Sequence, residues 1–183
     1  MDELVTAKCA GGLEAIVSLF GSASPMTTSH WNVGTGEIFH VRRGKRHRDR
    51  VQAFEERLFD EEGWHEVPFQ ESDDAYAMAT EFVDELRPGK ARVQLRLALE
   101  GEKPFRRFRD GLKKFAGVHR RYNKVVAEEA LGRLVVFCLA NSLRIDDPRF
   151  AAAASELERQ FLQAEKAAPV LAMASLSIGR KAT

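Results

Sequence analysis

What this chain has little of narrows its class before any motif is considered. It carries two cysteines, Cys9 and Cys138, far apart and at no metal-ligand spacing. That argues against a disulfide scaffold and a cysteine-based zinc site, and a reduced, cytoplasmic setting is expected. There is no uncharged run of eighteen apolar residues. The longest candidate, residues 125–143, is interrupted by Glu128, Glu129 and Arg133, so it reads as a buried helix and no membrane partner is expected. The first residues, MDELVTAK, hold two acids and no apolar h-region, so a secretory signal is not expected. Catalytic signatures are missing too. No GxSxG occurs, and Gly34-Thr35-Gly36 lacks the third glycine and following helix of a nucleotide loop. Glu100, Glu102 and Lys103 faintly resemble an acid-acid-Lys nuclease cluster, but they sit at an element's end without an upstream aspartate. His40 and His47 stand seven apart with no Cys or second carboxylate at ligand spacing. The expectation is a protein that is not an enzyme and has no cofactor and no metal.

What is present is a chain of 183 residues, 44% hydrophobic, long enough to bury a substantial core. Its net charge of +1 conceals strong segregation. Residues 42–50, RRGKRHRDR, hold six Arg/Lys against one Asp, giving +5. Residues 54–85 hold twelve acids against Arg57 alone, giving −11, and residues 87–124 hold thirteen Arg/Lys against three acids, giving +10. Either the blocks lie beside each other and neutralise, or a basic face stays open to a polyanion.

Local pattern sets the elements. Leu4, Val5 and Cys9, then Gly11-Gly12, then Leu13, Ile16, Val17 and Phe20 suggest two short helical pieces or a broken helix. Trp31 and Val33, the Gly34-Thr35-Gly36 turn, and Ile38, Phe39 and Val41 suggest a β-hairpin, with a further short strand at residues 64–67. Helical spacing recurs at Val51, Phe54 and Leu58. Ser72 is read as the N-cap of a helix whose apolar face includes Ala79, Phe82, Val83 and Leu86. Val93, Leu95, Leu97 and Leu99 alternate as a strand would, but their helix propensity favours a second helix. Pro104 suits the first position of a helix carrying FRRFRD, on which Phe105, Phe108, Leu112 and Phe115 share a stripe. A long apolar helix, about residues 119–143, follows. Asp147-Pro148 starts a last helix with the stripe Phe150, Ala154, Leu157, Phe161 and Ala164.

Three of these pieces, in order, resemble one bacterial uncharacterised protein family. They are the Thr35-Gly36-Glu37-Ile38 turn, the helix bearing Ala75-Tyr76, Met78, Glu81-Phe82 and Leu86, and the segment from Leu99 through Phe105-Arg106-Arg107-Phe108-Arg109-Asp110 to Leu112. The last is similar to that family's FRRFKD signature. The resemblance covers about residues 3–146. The chain departs from the pattern at Glu102-Lys103-Pro104 and at Arg121. It implies a fold and assigns no activity.

The expected fold is α+β: a small antiparallel sheet, the hairpin plus one short strand, packed against five or six helices with a long apolar helix at the centre. Residues 1–146 would form one domain, with 147–183 as an appended helix and tail. Phe105 and Phe108 could stack on bases, but their shared stripe marks them as core anchors. Arg106, Arg107 and Arg109 then flank the stripe, either paired with the 54–85 acids or facing phosphate, with Asp110 their nearest intrahelical partner. With Arg42, Arg43, Lys45 and Arg46 of the basic run, they are the expected contacts for RNA or DNA. The alternative is a protein partner or self-association without nucleic acid.

Overall fold

We describe a computed structural model over residues 4–22, 27–42 and 48–178, with side chains over the same residues except 42, 48–50, 59–60 and 164–178. The elements in chain order are β1 (Val5–Thr6), α1 (Leu13–Ser22), β2 (Thr27–Asn32), β3 (Ile38–Arg42), α2 (Arg48–Asp60), β4 (Trp64–Val67), α3 (Ser72–Asp84), α4 (Lys90–Leu99), α5 (Pro104–Leu112), α6 (Ala116–Ala140), β5 (Leu143–Arg144) and α7 (Pro148–Ile178). The fold is α+β. Its three-stranded antiparallel sheet has the order β3-β2-β4, and a separate pair, β1-β5, is parallel.

The hairpin follows from its turn. Gly36 sits at φ 82°, and a Cβ there would meet the backbone nitrogen of Ala10 at 2.5 Å, so only glycine fits. Asn32 completes the turn: its Oδ1 accepts from the amides of Gly34 and Thr35, and its Nδ2 donates to the Glu62 carbonyl. Register sets Trp31 opposite Ile38 on β3 and His65 on β4. Strand alternation then gives the sheet two different faces. Trp31 and His65 look toward Phe137 of α6, at ring distances of 6.4 and 5.9 Å. On the other face Phe54 of α2 stacks on Phe39 at 3.9 Å and meets His30 and Trp64 edge-on at 5.0 Å. The sheet is thus held between α2 and α6.

Two hydrophobic clusters fill the interior. The first joins α1, Trp31, the second half of α6 (Ala130, Leu134, Val135, Cys138), Leu143, Ile145 and Phe150 of α7. Burial pushes the Cys138 thiol up to about 12, so it is a core group and not a nucleophile. The second cluster joins α3, α4 and α5 through Phe82, Val83, Leu95, Leu99, Phe108 and Leu112, with Val118, Tyr122 and Val125 of α6 against it. α6 therefore runs through both.

The N-terminal segment differs from its expected helical form. Its first piece is β1, which pairs in parallel with β5 from the far end of the chain. Gly11 and Gly12, at φ 87° and 81°, then turn the chain into α1. Ser72 also differs: it is the first residue of α3, preceded by extended Glu71, and no side chain caps that end. The ambiguous segment at 93–99 is helical, and its alternation is incidental. Leu95, Ala98 and Leu99 are buried while Val93 and Leu97 face solvent.

Candidate nucleic-acid interface

The basic surface is built around α5. Its N-terminus is set by Lys103 in a left-handed conformation (φ 52°) followed by Pro104, whose fixed φ suits the first helical position. Phe108 and Leu112, each 1% exposed, anchor the helix in the second cluster, and Phe108 meets Tyr122 of α6 edge-on at 5.0 Å. Phe105 is half-buried against Tyr76 at 6.4 Å. With the aromatic stripe turned inward, Arg106, Arg107 and Arg109 are exposed. The guanidinium of Arg107 lies over Gly101 at the α4–α5 turn, in space that a side chain at 101 would take.

Neutralisation by the acidic block proceeds elsewhere. Asp84 pairs with Arg92 and Arg96 of α4, Glu85 with Arg121 of α6, and Glu61 with Arg57. Asp110 does not take Arg106 or Arg107 as its partner, as its position suggested. It accepts from Lys113 at 2.9 Å, which holds its carboxyl below the usual range, and the charges of Arg106 and Arg109 act in the same direction. Among the described residues, Lys103, Arg106, Arg107, Arg109, Lys114 and Arg120 have no carboxylate within ion-pair distance. Six cations on α5, the turns that flank it and the head of α6 thus remain available to an anion. Arg42 ends β3, where its backbone pairs with Thr27. Arg43, Lys45 and Arg46 lie outside the described residues, so the structure places only the α5 half of the expected surface.

A second feature escaped the local pattern. Near the C-terminal end of α6, where residues 134–140 are almost all apolar, Val136 and Leu139 are 50% and 42% exposed. Val136 lines a groove of about 930 Å³ between α6, α7 and the Pro68-Phe69 loop. Arg133 also borders it, and its Nη2 donates to the Phe20 carbonyl at 2.7 Å near the C-terminus of α1. Its Nε and Nη1 are buried without a partner among the described residues, and burial lowers its pKa against the pull of Glu129 and Asp74. The signal in the sequence was the excess of apolar residues at 134–140 over what one core face needs.

Among the described residues no three His, Cys, Asp or Glu side chains are grouped to hold a metal ion, and no helix is long and apolar enough to cross a membrane. Comparison with protein-family models, with curated proteins and with solved structures gives no match.

Proposed function

We propose that this protein binds a polyanion of the nucleic-acid class, RNA or DNA, through the exposed cations of α5 and the head of α6, without catalysing a reaction and in the cytoplasm. The observation that carries this reading is that Arg106, Arg107 and Arg109 stay exposed and without a carboxylate partner among the described residues, although the acids of α3 reach the bases of α4 and α6. Guanidinium groups in that setting match phosphate geometry. Burial of Phe108 removes a stacking platform from the surface. Contact is thus with the phosphate backbone and tolerant of sequence. Arg42, Arg43, Lys45 and Arg46 would extend the same term.

The test is binding of mixed RNA and DNA duplexes and single strands across a salt series. The expected log–log slope is several units, and replacing Arg106, Arg107 and Arg109 together with alanine lowers it by about three, one for each phosphate contact. Binding that ignores salt, or a triple variant indistinguishable from the parent, defeats the proposal. The groove between α6 and α7 favours a second reading, a protein–protein interaction module. A partner retained after nuclease treatment, with no salt-dependent nucleic-acid binding, would select it.

A further inference from the structure

The apolar stripe of α7 outruns the body it packs on. Phe150, Ala154, Leu157 and Phe161 are spaced four, three and four, and the same alternation continues through Ala164, Ala168, Leu171, Ser175 and Ile178. That is the 3.5-residue period of a helix seam made for another helix. The start of the seam is satisfied: Phe150 is buried, and Ala154 and Leu157 pack against the first cluster. Phe161, the next member, is 62% exposed, and its neighbour Leu162 55%. Beyond it, residues 167–179 hold no charge, and Arg180-Lys181 follow. An uncharged stretch containing Pro169 has little helix stability of its own, so a helix there needs a surface to lie on.

The groove beside α6 is such a surface. Leu131, Val136, Phe137 and Leu157 line it, and Glu128, Glu129 and Glu156 border it. Glu128 and Glu156 hold exposed intrahelical pairs with Lys124 and Arg159, while Glu129 has no ion-pair partner among the described residues. Surface pairs of this kind contribute little and exchange easily. An occupant with apolar residues ending in cations therefore matches the groove, and the chain's own C-terminal segment has that composition. As a continuation of the helix Pro148–Ile178, it leads away from the groove of its own copy. The groove flanks residues 153–160 of α7, and along one unbroken helix residue 168 lies about 12 Å further on. The groove of a second copy is within reach. Residues 161–178 span about 27 Å as a helix, against about 24 Å for the groove wall at residues 125–140 of α6.

We infer that the protein is a reciprocal dimer in which the second half of α7 from each copy lies in the α6–α7 groove of the other. The contact is isologous, so each copy contributes one tail and one groove. This does not rest on nucleic-acid binding, and the experiment uses nuclease-treated protein to keep the two apart. Light scattering on the eluting full-length chain is expected to give twice the 20.5 kDa chain mass. The tail variant Leu171→Asp with Ile178→Asp, and the groove variant Val136→Asp, each elute at the single-chain mass, keep a cooperative denaturation curve, and lose no more helical circular dichroism than residues 161–178 contribute. Mixing the two variants raises the mass again, because one intact tail meets one intact groove. A parent chain at single-chain mass at the highest soluble concentration overturns the inference. So does a dimer that survives both variants, or a mixture that stays monomeric.

Discussion

At residue scale, the polar groups inside this protein show what the fold tolerates. Asn32 is buried and satisfied on both sides of its amide. Ser29 is buried too, and its hydroxyl lies 2.9 Å from Nδ1 of His40 across the hairpin. His30 differs, because its Nδ1 is buried behind Phe54 without a partner among the described residues. Burial lowers its pKa from 6.5, with Glu66 opposing. A histidine depressed in the folded state stabilises above its unfolded pKa, and that contribution is lost as pH falls through the folded value. Chemical denaturation should therefore show the parent losing more stability than His30→Gln between about pH 7 and pH 5. Equal losses would mean that His30 does not titrate with unfolding. Gly36 shows how legible such a residue can be. Its turn could be read from the glycine spacing, because a positive φ leaves a mark on composition. The missing partner of His30 could not, since it depends on an aromatic lid from another element.

At the scale of elements, α5 joins fold and site most directly. Its arginines flank its aromatic stripe, so the packing that buries Phe108 is also what presents Arg106 and Arg109. Phe108→Ala should cost about 3–5 kcal/mol in urea or guanidinium denaturation, and a loss below about 1 kcal/mol would remove the anchor assignment. The inward stripe was legible because a 3.6-residue period is local information. The ion pairs were not. Which carboxylate meets which cation depends on how α3, α4 and α6 lie together, and Asp110 chose Lys113 one turn on over the arginines before it. β1 was missed for the same physical reason. A two-residue strand carries almost no pattern, and its partner β5 is contributed by residues 143 and 144. The exposure of Arg57 gives a similar lesson: it bridges Glu37, Glu61 and the ring of Trp64, tying turn, helix and strand at the surface.

At the scale of the molecule, the two hydrophobic clusters report through different chromophores. Trp31 and Trp64 both belong to the sheet side, while Tyr76 and Tyr122 lie with α3, α4 and α5. Tryptophan fluorescence and far-ultraviolet circular dichroism should trace one coincident denaturation curve if the halves melt together. Separated midpoints would show that they do not. The α+β class and the central helix were legible from composition and periodicity, whereas the division of the interior was not, because it arises where elements distant in sequence converge. The continuity of α6 through both clusters has an evolutionary corollary. Substitutions on its buried side must satisfy neighbours in two compartments at once, whereas α4 and α1 each answer to one. Variation in this chain should therefore be tolerated unevenly, with the long helix drifting most slowly and the outward cations changing fastest wherever no anion holds them in place.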